Sequence, residues 1–138
     1  LVVFTFNSPG GRLDDITETV APTIEAVVGR GGFVAAHVSE KAFGAAAVLA
    51  QGYCRPVIVS PTGRIGFLGV QPSPFSKWVH ERMQMDCWAT IRRKRPQIKD
   101  GVLERLAGSE LTGEHAEAAG LADGVGTLTQ LIQGRCGR

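Results

Sequence analysis

Hydrophobic residues in the first half of the chain follow two patterns, one typical of buried strands and one of helices. Continuous apolar or β-branched runs predict strands that are covered on both faces, at residues 1–6, 33–38, 57–59 and 65–70. Apolar residues recur at helical spacing over 13–28, where Pro22 predicts a kink. The small side chains of 42–50 predict a second helix that packs closely on its neighbours. Strands and helices that alternate at these intervals predict an α/β fold with right-handed crossovers and a largely parallel sheet.

The last third of the chain has a helical pattern. Apolar and aromatic residues among charges predict an amphipathic helix over 75–95, which ends before Pro96. Shorter helices are predicted over 101–107, 112–119 and 128–132. Thr112 is a suitable N-cap for the second of these, and Gly120 is a suitable C-terminal stop. No internal repeat is visible, so we expect one domain over 1–138 with a helical C-terminal arm.

Glycine is enriched in the chain, whereas charge is nearly balanced. Eighteen of the 138 residues are glycine, about twice the usual share, which indicates tight turns or close backbone approaches. The net charge of +2 favours neither nucleic acid nor a membrane surface as a partner. The basic run Arg92–Lys99 is a local exception, which predicts a solvated face or, more weakly, a nucleic-acid site. No run of residues is long and apolar enough for a transmembrane segment.

The chain begins on a strand-like run without an initiator Met. We therefore expect no signal peptide, and we expect a natural N-terminal strand that precedes this sequence. A cytoplasmic location and a membrane-associated one both stay open.

Cysteine and histidine positions do not favour a metal site. Three widely spaced cysteines fit neither a disulfide framework nor a zinc site, namely Cys54, Cys87 and Cys136. His37 alternates with apolar neighbours as a core residue does, whereas His80 and His115 belong to predicted helices with an exposed face. Because no His, Cys, Asp or Glu cluster has metal-ligand spacing, we expect neither a metal nor a cofactor.

The segment Asn7–Gly11 joins the first predicted strand to the helix that follows. Its two successive glycines allow backbone N–H groups to approach a ligand closely, and the helix dipole adds partial positive charge there. The segment lacks the glycine spacing of a dinucleotide site and the Gly-Lys pair of a P-loop. It therefore predicts an oxyanion or phosphate turn, or simply a tight structural turn.

Four segments in order resemble the signal peptide peptidase A and Clp proteolytic subunit group of serine peptidases. They are Phe6–Gly11, Val34–Ala50, Pro61–Val70 and Leu111–Asp123, the last of which is similar to the family's TG-x-x-A-x-x-x-GLVD. The resemblance implies a crotonase-like fold of repeated ββα units. It also implies peptide or unfolded-protein segments as substrates, and a homo-oligomer. A long helix that carries Trp78 and Trp88 would supply apolar surface for subunit contacts.

The resemblance also implies roles for single residues. The backbone N–H groups of Gly11 and Ala45 would form an oxyanion hole. The nucleophile position is occupied by Gly44, which cannot form an acyl-enzyme. Ser39 is a hydroxyl nearby in sequence and the alternative nucleophile.

The general base implied by the resemblance also departs from the family pattern. Where Clp-type members have a histidine before Gln-Pro, this chain has Val70. Signal peptide peptidases use a lysine, and Lys94 lies at about that distance, with Lys99 as the weaker alternative base.

Three functions follow from these residues. The first is peptide hydrolysis by Ser/Lys chemistry, provided that the native gene encodes serine at position 44. The second is a catalytically inactive pseudo-peptidase that serves as an oligomeric binding or scaffold protein. The third is a crotonase-type acyl-CoA enzyme, in which Gly11 and Ala45 would stabilise an enolate, although Glu40 is the only suitable carboxylate nearby in sequence.

Overall fold

Strands and helices alternate along the chain in a computed structural model that describes residues 1–11, 16–67 and 77–134. The described strands are β1 (Val2–Ser8), β2 (Val34–Phe43), β3 (Val57–Val59), β4 (Arg64–Gly66), β5 (Glu110–Thr112) and β6 (Gly124–Val125). The α-helices are α1 (Ala21–Gly29), α2 (Ala45–Tyr53), α3 (Lys77–Lys94), α4 (Val102–Leu106), α5 (Gly113–Ala118) and α6 (Leu128–Ile132). The predicted α/β class is therefore confirmed.

Strand β2 is the centre of the sheet. Its first half pairs in parallel with β1 on one edge and with β3 on the other, and β6 extends the sheet beyond β3. Its last residues, Lys41 to Phe43, pair in parallel with β4, which in turn pairs antiparallel with β5. The sheet curls around β2, which has three strand partners, and it is mixed because β4 and β5 are antiparallel. The repeated ββα units and the largely parallel sheet stay predictions.

The chain leaves β2 later than the sequence pattern predicts. The sequence pattern predicts a strand over 33–38. In the structure, β2 continues to Phe43 because Lys41 pairs with Arg64 of β4. The small-residue helix accordingly covers Ala45–Tyr53 rather than 42–50. Its alanines belong to the buried core, and so does most of β2.

Local capping signals agree with the structure at several helix ends. The Thr112 hydroxyl accepts a hydrogen bond from the His115 N–H at 3.2 Å, and Gly120 has a φ of 82°, as predicted for the two ends of α5. Pro22 lies in the first turn of α1, directly after a π-helical turn at Ile16–Val20. Val20 also has helical backbone angles, so the helical stretch is continuous around the proline, and the kink stays a prediction.

Several predicted elements extend beyond the described residues. The predicted strand 65–70 is described only as β4, and the predicted helix 75–95 is described as Lys77–Lys94. No helix in the described ranges has the length and hydropathy that a membrane crossing requires.

The prediction of a solvated basic face is wrong for Arg95, whose side chain is fully buried. Its Nη2 donates to Asp123 Oδ1 at 2.7 Å, and its Nε donates to the carbonyl of Gly120 at 2.8 Å. The other oxygen of Asp123 accepts from the Val57 N–H at 2.7 Å. This ion pair therefore joins the end of α3 to the start of β3 and to the loop before β6.

Candidate active site

Gly44 forms the sharp junction between β2 and α2. Its φ of 58° and ψ of −122° lie in a region that residues with a side chain rarely occupy. Its N–H donates to the Gly66 carbonyl at 3.1 Å, and its carbonyl accepts from the Val48 N–H at 3.1 Å. The same kind of tight strand-to-helix turn presents the serine nucleophile in α/β hydrolases.

The turn that follows β1 lies against this junction. A Cβ built on Gly44 would lie 3.8 Å from Gly10 Cα, with no other described atom within 4 Å. A Cβ built on Gly11 would lie 3.7 Å from Ala45 Cβ. The Ser8 hydroxyl donates to the Gly10 carbonyl at 2.6 Å and thereby tightens the turn. The structure therefore brings Gly11 against Gly44 and Ala45, which are distant from it in sequence.

The start of α2 provides hydrogen-bond donors beside this turn. Because its first intrahelical bond runs from Val48 to Gly44, the N–H of Ala45 has no acceptor within the helix. No described side chain caps the helix. The partial positive charge of the helix N-terminus therefore faces the glycine turn. Chemically, this arrangement suits a carbonyl oxygen or an oxyanion.

Ser39 uses its hydroxyl within the sheet. Its Oγ donates to the carbonyl of Phe6 at 3.0 Å, and its own carbonyl accepts from the Ser60 hydroxyl at 2.7 Å. The side chain therefore ties β1 to β2. Glu40, the carboxylate considered for acyl-CoA chemistry, is exposed on the same strand.

The stronger candidate base lies away from Gly44. Lys94 lies beside Gly52 and Tyr53, at the C-terminal end of α2, and its carbonyl accepts from Arg55 Nη1 at 3.0 Å. Gly44 precedes the opposite end of this nine-residue helix, which is about 14 Å long. Lys99, the weaker candidate, is exposed in the segment before α4, and Val70 lies outside the described residues.

Two aromatic residues beside the junction were missed by the sequence analysis. The rings of Phe43 and Phe67 meet edge to face with their centroids 5.0 Å apart. Phe67 has a φ of 53°, a strained backbone conformation for a residue with a side chain. Its N–H donates to the Ser109 carbonyl at 2.9 Å, and this hydrogen bond helps to maintain the conformation. The only sequence signal was the position of each phenylalanine next to a glycine.

The histidines agree with the sequence analysis where they are described. His37 is buried, with Nε2 3.0 Å from the Gly126 carbonyl, and His115 is exposed. The side chain of His80 and all of Cys136 lie outside the described residues. Within the described ranges, no group of three or more potential metal ligands is found.

The two described thiols are buried and cannot replace the missing serine. Burial raises the pKa of Cys54 to about 12 and the pKa of Cys87 to about 11. Both thiols are therefore neutral at physiological pH, and a thiolate is needed for nucleophilic attack.

We expect the native protein to resist thiol alkylation. In a Cys136→Ser variant, iodoacetamide at pH 8 should leave Cys54 and Cys87 unmodified until urea unfolds the chain, as followed by intact-protein mass spectrometry. Because the unfolded thiols ionise near pH 9 and the folded ones at higher pH, stability should also fall as the pH rises above 9. Rapid labelling of the folded variant would contradict the burial of these thiols.

Comparison with known proteins does not assign the chain to a family. No protein-family model matches it, and no curated protein matches it either. The similarity to serine peptidases therefore depends on the four sequence segments and on the geometry around Gly44.

Proposed function

We propose that this domain is a serine-peptidase-like protein, similar to signal peptide peptidase A, that binds peptide segments without cleaving them. The observation that supports this proposal is the strand-to-helix junction at Gly44, which lies against the Gly10 and Gly11 turn. Glycine has no oxygen with which to attack a peptide carbonyl, so an acyl-enzyme cannot form at this position. The oxyanion-type donors remain, and they can bind a carbonyl oxygen.

The bound peptide would place one carbonyl oxygen between the N–H groups of Gly11 and Ala45. Ala45 is the first residue of α2, and the turn before Gly11 is closed by the bond from the Ser8 hydroxyl to the Gly10 carbonyl. This local order reduces the conformational entropy that is lost on binding. The Phe43 and Phe67 pair offers an adjacent apolar surface for a peptide side chain. Each neutral hydrogen bond contributes only about 1 kcal/mol, so a single site binds weakly. Assembly of several copies would strengthen binding through avidity.

Peptide hydrolysis is the second candidate function. The open space beside Gly44 favours it, because a Cβ there would meet only Gly10 Cα among the described atoms. Hydrolysis requires a serine at this position in the native gene and a base, which Lys94 does not provide from the opposite end of α2.

Substitution of Gly11 tests the proposed binding site. We expect a fluorescent, unstructured decapeptide rich in Leu and Ala to bind saturably in an anisotropy titration, with no cleavage product by mass spectrometry. Gly11→Pro should weaken binding about tenfold, because proline has no backbone N–H and therefore removes one donor to the bound oxygen.

The matched control is Gly11→Ala, which keeps the backbone N–H and adds a methyl 3.7 Å from Ala45 Cβ, an ordinary contact. This variant should bind the peptide like the unmodified protein. Equal binding by the Gly11→Pro variant would exclude the glycine turn as the peptide site, and cleavage by the unmodified protein would exclude a purely binding function.

A further inference from the structure

A groove of about 310 Å³ opens between α1, α2 and α3, at the end of α2 opposite to Gly44. Its apolar lining includes Ile24 and Val28 of α1, and Val28 is 39% exposed. Its volume lies at the lower end of the range for small-molecule sites. Because the groove lies at the other end of α2, it is separate from the proposed peptide site at Gly44.

Glycine at position 52 allows α2 and α3 to approach each other at the groove. A Cβ built on Gly52 would lie 3.0 Å from Thr90 Cγ2 and 3.8 Å from Ile91 Cγ1. Tyr53 follows on the same helix end and lines the groove together with Thr90, whose hydroxyl donates to the Asp86 carbonyl at 2.9 Å. The groove thus has an apolar wall on α1 and hydroxyl groups on the α2 and α3 side.

The charges at the groove come from the basic run at the end of α3. Arg92 donates to both carboxylate oxygens of Glu104 at 2.9 Å, and Arg95 is paired with Asp123. Arg93 and Lys94, which lie between them, line the groove. Arg93 Nη2 donates to the Thr90 hydroxyl at 3.4 Å, but neither cation forms an ion pair with any residue in the described part of the chain.

The groove therefore has a net positive charge beside its apolar wall. Glu25 is the one carboxylate among its described lining residues, against the two cations Arg93 and Lys94. An unpaired cation next to an apolar surface is best complemented by a ligand that has one negative group and an apolar body. Apolar burial would contribute most of the binding free energy, and the charge would contribute specificity.

We propose that this groove binds a small amphipathic carboxylate, with its apolar body against Ile24 and Val28 and its carboxylate at Arg93 and Lys94. At roughly 30 Å³ per heavy atom, the volume accommodates about ten heavy atoms, which is the size of octanoate. This assignment gives Lys94 a role in ligand binding at the far end of α2, and it does not depend on peptide binding at Gly44.

The ligand class is tested by comparing three probes of equal chain length on the full chain. Octanoate, octanol and octylammonium are titrated at millimolar concentration and followed by backbone amide NMR. We expect octanoate to bind saturably, with the largest shifts at Gly52 and Thr90 and none at Gly10 or Gly11. Octanol and octylammonium should bind at least fivefold more weakly. Absence of saturation, equal binding of either other probe, or shifts centred elsewhere would overturn the assignment.

The role of the two cations is tested by substitutions within the same basic run. The double variant Arg93→Gln/Lys94→Gln should bind octanoate about fivefold more weakly, as expected for removal of partly exposed ion pairs. Arg92→Gln removes one charge that is already paired with Glu104, outside the groove, and should leave the affinity unchanged. Equal affinity loss in both variants would show that nonspecific charge accounts for binding. No loss in the double variant would show that apolar contact alone accounts for it. Either result would contradict the proposed role of the two cations.

Discussion

Replacing Arg95 by methionine should lower the free energy of unfolding by about 3 to 5 kcal/mol, the cost of breaking a buried ion pair from one side. Methionine retains much of the apolar stem but leaves Asp123 without its cation and the Gly120 carbonyl without the Nε donor. Asp123 retains the N–H of Val57 as a partner, so β3 should still form. Urea unfolding followed by circular dichroism measures the loss.

Arg92→Met is the matched control, because it removes the same group three residues earlier, in the last turn of α3. The Arg92 and Glu104 side chains are 39% and 53% exposed, and such pairs contribute about 1 kcal/mol or less. We therefore expect the Arg92 variant to unfold near the urea midpoint of the unmodified protein. Similar losses in both variants would contradict the assignment of Arg95 as the buried member of the run.

Periodicity predicted much of the fold because most elements follow their own local signals. The apolar run of β3 lies at the predicted position, and so does α6. Thr112 and Gly120 limit α5 as their side-chain and backbone preferences predict. The end of β2 was missed because pairing of Lys41 with β4 is a tertiary contact, and it overrides the local polarity of that segment.

The candidate site was predictable only in part. The resemblance selected Gly11, Gly44 and Ala45, and the structure places these residues together. Local pattern could not indicate which glycine of the eighteen has the conformation of a strand-to-helix junction.

The basic run shows why side-chain environment was harder to predict than backbone structure. Four consecutive residues of one charge have different surroundings, because successive positions on a helix face different directions. Arg95 faces Asp123, which lies 28 residues later in the sequence, whereas Lys94 faces the groove at the end of α2. Lys94 was selected as a base because its distance along the sequence resembles that of the family's lysine. In the structure it lies at the C-terminal end of α2, whereas the glycine turn lies at the N-terminal end.

Introducing serine at position 44 should create a site that reacts with a fluorophosphonate. The side chain has room beside Gly10 Cα, and the donors of Gly11 and Ala45 would stabilise the charge that develops on the phosphonyl oxygen. One such donor changes rates by about 100-fold, so labelling should exceed that of an ordinary surface serine by about this factor, even without a dedicated base. The positive φ should cost about 1 to 2 kcal/mol of stability.

Gly101→Ser is the matched control for this variant. Gly101 also precedes a helix, has a φ of 81°, and leaves open space for an added Cβ among the described residues. It therefore introduces the same hydroxyl at another positive-φ position before a helix, with a ψ of −8° instead of −122°. Its labelling rate should equal that of the native serines.

Intact-protein mass spectrometry after fluorophosphonate treatment, with the labelled residue located by peptide sequencing, tests the peptidase-like geometry most directly. The proposed site predicts no labelling of the unmodified protein, single labelling at position 44 in the Gly44→Ser variant, and background labelling in the Gly101→Ser variant. If a folded Gly44→Ser variant reacts no faster than the Gly101→Ser variant, the glycine turn is not an oxyanion site, and the similarity to serine peptidases does not extend to function.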